Sequence, residues 1–272
     1  MALEGRIATA LRTDVGKLRD NNEDAVAEDG DIGLLVLADG MGGYNAGEVA
    51  SGMAIAAIVA TVREGLGDLT LDLADTSKPG PEAHLLERAI TRAHREIFEA
   101  GASQENLSGM GTTVVAVLLH DNRMSVAHVG DSRLYRWRFG TLRQVTRDHS
   151  LLEELVANGH FSREEATAMV RKNIVTRALG ANPEVQVELQ VEALEVGDTL
   201  LLCSDGLTDM VPDELIGLSL HRYGDDLDAA AGNLVELALA AGGRDNVSVA
   251  LARVDQPYGR GRAWYSRLID WI

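Results

Sequence analysis

The sequence is poor in the features that would commit it to several common protein classes. It has a single cysteine, Cys203, so no intrachain disulfide can form and nothing points to an oxidising compartment. Basic residues are scarce: 25 Lys and Arg against 42 Asp and Glu leave a formal net charge of −17. A surface that negative disfavours nonspecific binding to nucleic acid or to anionic membranes. No stretch is expected to reach the roughly 18–20 apolar residues that a membrane-spanning helix needs. The first residues, MALEGRIATALR, lack the apolar h-region of a secretory signal. There is no internal repeat and no low-complexity tract. These absences leave the expectation of a soluble, cytoplasmic globular protein.

What is present is ample material for a core. At 272 residues and 46% hydrophobic composition, the chain is too apolar for global disorder. Its length suits one large domain or two small ones. Apolar runs predict strands near 5–11, 32–38, 113–119, 124–129, 133–138, 185–191, 198–203 and 247–254. His120-Asp121-Asn122-Arg123 reads as a hairpin turn, and Phe139-Gly140-Thr141 as a second turn. The alanine-rich stretch 45–64 predicts a buried helix. Residues 80–100, with Pro near the start and Gly just beyond the end, predict another. A third spans 226–241, and a short one over 162–171 opens with a Ser-x-x-Glu capping box. Strict strand–helix alternation is absent. Runs of strands joined by tight turns imply an α+β architecture of antiparallel sheets with helices outside. Residues 65–80 read as a loop. The tail 257–272, PYGRGRAWYSRLIDWI, differs in composition and is expected to lie outside the main core, either packed on the body or frayed, or used as a partner-binding or membrane-surface helix.

One device recurs: an apolar strand, then an aspartate beside glycine or asparagine. Asp39 follows LLVLA, Asp131 follows SVAHVG, and Asp205 follows TLLLCS. Asp245 sits in GGRDNVSVAL just before a strand, and Glu23 and Asp24 sit in RDNNEDAVA at the start of one. Singly, each is a turn former or helix N-cap. Together they are acids at the rim of a core, where an uncompensated charge is costly. A cation bound among them would share that cost. Oxygen ligands without a His/Cys cluster favour Mg²⁺ or Mn²⁺ over Zn²⁺. The glycine after Asp39 is expected to let the backbone turn sharply and bring its carbonyl to a metal. LADGMGG (37–43) therefore reads as a metal corner and not as a phosphate cradle.

These segments, in order, resemble the PP2C-type metal-dependent serine/threonine phosphatases in their bacterial form. The matching stretches are RTDVGKLRDNNEDA (12–25), LVLADGMGG (35–43), GMGTTVVAVLL (109–119), VAHVGDSRLYRWR (126–138), VTRDHSLLEELVANG (145–159), VTRALG (175–180), LLLCSDGLTDMV (201–211, with its flanking Leu) and GGRDNVSVALARV (242–254). They cover about residues 6–254. The resemblance implies a four-layer αββα sandwich, with a phosphatase domain over 1–256 and a variable flap at about 146–180. Whether that flap is a lid or a plain surface helix stays open.

By the same resemblance, two or three Mn²⁺ or Mg²⁺ ions are expected. Asp39 would bridge two of them, and the Gly40 carbonyl would bind one. Asp205 and Asp245 would complete the first site. Glu23 would serve the second, with Asp24 as its supporting neighbour. Asp131 would hold a third ion with Asp205. Arg19, four residues before Glu23, would grip the substrate phosphate with its bidentate fork. A hydroxide between two ions about 3.5–4 Å apart would attack phosphorus in line. Cys203 reads as a small buried hydrophobe and not a nucleophile. Some family members carry histidine where this chain has Met41 or Tyr44. Its leaving-group proton would then come from water or another group, and neither His149 nor His160 is assigned to that role. The expected substrate is a phosphoprotein made by a serine/threonine kinase of eukaryotic type. The other readings are a PP2C-fold regulatory module, against which all the carboxylates are present, and a phosphatase for small phosphoesters, because a metal site recognises phosphate and not what carries it.

Overall fold

The structure is a computed structural model and describes residues 3, 5–43, 46–67, 79–159, 161–170 and 174–259. The expected positions Tyr44 and His160, most of the 65–80 loop, and tail residues 260–272 with Trp264, Trp271 and Ile272 lie outside the described residues. In chain order the elements are β1 (Ile7–Asp14), β2 (Asp24–Asp29), β3 (Leu34–Met41), α1 (Ala46–Leu66), α2 (Pro81–Ser103), β4 (Gly111–Thr112), β5 (Val114–His120), β6 (Arg123–Val129), β7 (Arg133–Arg138) and β8 (Thr141–Gln144). There follow α3 (Leu151–Ala157), α4 (Arg163–Met169), β9 (Glu188–Ala193), β10 (Thr199–Cys203), α5 (Asp205–Thr208), α6 (Asp213–Tyr223), α7 (Leu227–Ala240) and β11 (Val247–Val254).

Two antiparallel sheets result. One has the order β1-β11-β10-β7-β8; the other runs β2-β3-β5-β6-β9, with β4 attached to β3. Side chains alternate between faces along a strand, and the strand residues divide accordingly. Leu35 and Leu37 of β3, Val115 and Val117 of β5, Leu200 and Leu202 of β10, and Ala250 and Ala252 of β11 form the core between the sheets. Their neighbours Val36, Val114, Ala116 and Leu118 face α1 and α2. Leu201, Cys203, Val249 and Leu251 face α6 and α7. Both faces of the central strands are thus buried, which is why they read as continuous apolar runs. The result is four layers, helix–sheet–sheet–helix.

The outer helices follow the same logic. In α2, Leu86, Ile90, Ala93 and Ile97 recur at helical spacing on the buried face. Proline occupies its first turn, where the missing N–H leaves no bond unmade. Helix α1 presents Ala50, Ala54, Ala57 and Ile58 to the core, small residues that let it lie close to β3 and α2. By length and composition alone α1 is apolar enough to cross a membrane, contrary to the sequence expectation, but here its apolar face packs on the protein's own sheet.

Two features depart from the sequence reading. Helices α3, α5 and α6 and the strands β4 and β8 were not anticipated. The tail is not wholly outside the core: Tyr258 is 1% exposed in the inter-sheet cluster. Its hydroxyl donates to the Arg123 carbonyl at 2.8 Å and its N–H to Asn122 Oδ1 at 2.6 Å. The turn His120–Arg123 forms as expected, with Asp121 and Asn122 both at positive φ.

Candidate active site

The acids singled out in the sequence meet at one rim of the sandwich. Asp24 and Asp39 are direct cross-strand partners in β2 and β3. Like charges so placed repel. Asp205 opens α5 immediately beyond β10, Asp131 lies in the β6–β7 connection, and Asp245 precedes β11. Hydrogen bonds lock these segments together. The Asp39 N–H donates to Thr113 Oγ1 at 3.1 Å, and its carbonyl accepts from Thr113 N–H and Thr112 Oγ1, both at 2.8 Å. Thr113 Oγ1 also pairs with Ser132 Oγ at 2.7 Å, beside Asp131. Ser204 Oγ donates to Asp24 Oδ2 at 2.8 Å and accepts from Ser248 N–H at 3.0 Å. Asn246 Oδ1 accepts from Glu23 N–H at 2.8 Å, while its Nδ2 donates to the carbonyls of Val15 and Asn21. None of these neutral partners was anticipated. Thr112, Thr113, Ser132, Ser204, Asn246 and Ser248 all lie within the segments singled out by resemblance, but no role was read for any of them.

The sharp turn expected at Gly40 does not form. The chain does not turn after Asp39; β3 continues through Met41. A Cβ at position 40 would lie 2.1 Å from the Gly47 carbonyl oxygen and 2.6 Å from that of Glu23. Glycine is needed because the start of α1 and the β2 entry both converge on the space a side chain at position 40 would fill. That approach brings the Glu23 carboxylate to the first turn of α1, where the Gly47 amide favours its charged form.

Charge is undercompensated at this rim. Burial, then Asp24, Asp205, Asp131 and Asp245, hold the Asp39 carboxyl well above the ordinary range. Burial and the neighbouring Asp131 push Asp205 up to about 8. Asp131 rises to about 6 through burial and Asp148. Asp24 rises to about 6 through burial, against the pull of Ser248 and Ser204. Glu23 is raised chiefly by burial, opposed by Arg19. Glu23 Oε1 and Asp24 Oδ1 are buried with no hydrogen-bond partner. An all-oxygen set with orphaned carboxylate atoms and mutually raised pKa values fits hard divalent cations. Among the described residues, Arg19 lies at this rim, half exposed, and its Nη2 donates to Asp245 Oδ2 at 2.7 Å, while Arg133 acts on Asp131.

A second polar cluster, invisible in the sequence, sits behind Asp131. His128 and His149 stack with centroids 4.6 Å apart and planes 18° apart. With Glu188 they bring ligand-type atoms within 4.8 Å of one another. Stacked rings, however, point their lone pairs side by side and not at a common centre. His149 Nδ1 also accepts from the Gly130 N–H, and its Nε2 donates to Glu188. Both nitrogens are therefore committed, which agrees with leaving His149 out of acid catalysis. The pair instead fastens the base of the predicted flap to the Asp131 loop: His149 N–H donates to the Gly130 carbonyl, and Thr176 N–H donates to that of His149.

Comparisons with known proteins agree with this architecture. The family described as protein phosphatase 2C matches residues 17–232. A serine/threonine phosphatase stp of Listeria monocytogenes is 40% identical over 248 residues, covering 90% of this chain and 95% of its own. The Mycobacterium tuberculosis phosphatase PstP is 40% identical over 253 residues, 92% of this chain and 46% of that longer protein. A crystal structure of PstP superposes with a TM-score of 0.80 at 38% identity, covering 92% of this chain and all of the other. A further structure, of the PstP catalytic domain in complex with two manganese ions, has a TM-score of 0.78. On sequence and on fold, the chain belongs to the protein phosphatase 2C family.

Proposed function

We propose that the protein is a Mn²⁺- or Mg²⁺-dependent phosphatase that hydrolyses phosphoserine and phosphothreonine on proteins. The observation that carries this reading is the rim of carboxylates, buried Asp131 with half-buried Asp39, Asp205 and Asp24, whose charge the protein's own cations leave unbalanced. Relatives are named serine/threonine phosphatases, and one is described with two manganese ions. Asp39, the Gly40 carbonyl, Glu23, Asp131, Asp205 and Asp245 would hold two to three ions, with Asp24 supporting Glu23. Bound divalent cations supply Lewis acidity towards phosphoryl oxygens and lower the pKa of water.

The remaining work falls to side chains. Thr112, Thr113 and Asn246 fix the strand ends, so the carboxylates need not reorganise as charge develops. Arg19 exchanges Asp245 for the substrate phosphate, and its planar fork orients two phosphoryl oxygens. Cys203 is fully buried, with its thiol pushed up to about 12 by burial, and takes no part as a nucleophile. A substrate of this class must be supplied by a serine/threonine kinase, which places the protein opposite such a kinase. The lone buried thiol suits a reducing cytoplasm.

The test is phosphate release from a phosphothreonine peptide, with and without Mn²⁺, for wild type and Asp39→Asn. Release should require Mn²⁺ and fall by roughly 10²–10³-fold or more in the variant, as when a principal charge-stabilising group is removed. A folded wild type that releases no phosphate with Mn²⁺ present would sink this reading in favour of a binding module or a small-phosphoester enzyme.

A further inference from the structure

Far from the acid rim, the β7–β8 hairpin exposes apolar surface at some cost. Phe139, at its tip, is 85% exposed and adopts φ +48°, a region bulky residues avoid. With Gly140 at φ +81° the turn is of the kind that prefers Asn-Gly. An aromatic kept in that position is neither the best turn former nor part of the core.

Beside it, α6 turns Ile216 and Leu220 inward but leaves Leu215 43% and Leu218 61% exposed. Gly217 lets α6 lie against Trp137, since a Cβ there would be 3.2 Å from the indole ring. The result is a groove of about 570 Å³ lined by Trp137, Leu142, Leu218 and His221, with Asp213 and Glu214 adding negative charge. Its floor meets β8, which ends the sheet order and has no described strand on its outer side. An exposed edge is a template for an added strand.

We infer that this groove docks an extended basic–apolar segment of the protein substrate, pairing along β8, seating an apolar side chain on Trp137 and Leu218, and setting a cation near Asp213 and Glu214. Charge complementarity selects this occupant: the groove is acidic and the whole chain carries −17. A second copy would bring the same negative charge to the contact. Reach is consistent as well. Phe139 lies eight residues from Asp131, with β7 (Arg133–Arg138) between them, a span of at most roughly 26 Å at 3.3 Å per residue, so about eight extended substrate residues would join groove to acid rim. The inference deepens the proposed function by giving that enzyme a protein-level specificity site.

Two measurements test it. In the first, a phosphothreonine peptide carrying an Arg-Leu-Arg-Leu segment eight residues from the phosphothreonine is compared with one carrying Gly-Ser there. Linkage should lower KM about tenfold with kcat unchanged. Phe139→Asn and Leu218→Glu should abolish that difference and leave turnover of p-nitrophenyl phosphate intact. Phe139→Asn suits its turn better than the native residue, so misfolding cannot explain its loss. In the second, anisotropy of the fluorescein-labelled, unphosphorylated segment reports binding without turnover, and both variants should weaken it at least about fivefold. Equal KM values for the two peptides, or equal binding by wild type and both variants, overturns the inference. So does a wild type that is dimeric by light scattering and becomes monomeric in Leu218→Glu. If wild type releases phosphate from neither peptide, the proposed function fails, and the anisotropy measurement alone decides the docking site.

Discussion

Strand β10 is flanked by two aspartates that meet opposite fates. Asp198, just before it, is 1% exposed, and its carboxylate is gripped by Arg138 through Nε and Nη2 and by the Glu195 N–H. Asp205, just after it, is pushed up to about 8 by burial and by neighbouring acids, with no arginine or lysine among its chief influences. The same contrast separates Asp148, held by a three-bond clamp from Arg133, from Asp39. A chain that neutralises one carboxylate so completely and leaves the other unbalanced is what the proposed metal site would require, with the counter-charge supplied from solution. Structural acids are matched from within; under the proposed function, those at the rim are matched by a bound cation.

Substituting the two ends of β10 is the strongest way to break that contrast. Asp205→Asn should cut phosphatase activity by roughly 10²–10³-fold and raise the metal-free melting temperature, since a repelled charge is removed. Asp198→Asn should do the reverse. It leaves Arg138 without its buried partner and should cost about 3 kcal/mol of folding stability, with activity per folded molecule preserved. Urea titration beside phosphate release reads both. A destabilised metal-free Asp205→Asn would remove the distinction.

Next in size is the pH dependence of stability without metal. Asp205, Asp131 and Asp24 have folded pKa values above their unfolded ones. The folded state therefore binds more protons, and stability falls as pH rises from about 4, the unfolded aspartate value, towards about 8, the raised value of Asp205. Saturating Mn²⁺ should flatten this slope. His128 and His149 act in the opposite sense, because burial lowers both pKa values. Their contribution is present above the unfolded histidine pKa and is lost as pH falls through the folded values, so an acid-side loss should persist with Mn²⁺ bound. Melting curves from pH 4 to 8, with and without the ion, separate the two.

Much of this contrast could be read before any fold was known, and the reason is local. Leu34–Ala38, Val114–Leu119 and Leu200–Cys203 are buried on both faces, so their apolar runs stand out whatever packs on them. The acids that follow them are visible for the same reason. Helix α6 was hidden because Leu215 and Leu218 face outward and blur its amphipathic period. Asn246 was hidden because its partners, Val15, Asn21 and Glu23, lie more than 220 positions away in the chain. The His128–His149 stack likewise joins two segments that only the sandwich brings together.

Asn246 also sharpens the comparison on a smaller scale. Asn246→Ala removes three hydrogen bonds and should cost about 2 kcal/mol, with Mn²⁺ affinity weakened by the loosened Glu23 segment; calorimetric Mn²⁺ titration checks this. The smallest effect is expected at the surface pair Arg12–Asp228, whose side chains are 50% and 68% exposed. Arg12→Ala should change stability by no more than about 0.5 kcal/mol; a larger shift in urea midpoint would show that surface charge pairs matter more here than the rim.

Strand β11 lies between β1 and β10, and Asp245 and Asn246 lead directly into it. On the ribosome, β1 and β10 are both made before the strand that joins them. Until residues 245–254 emerge, the nascent chain has an open sheet and lacks both Asp245 and the Asn246 hydrogen bonds that hold the Glu23 segment, so it cannot close its core. A polypeptide interrupted before β11 would therefore present two bare strand edges, those of β1 and β10, where the finished fold has a continuous sheet.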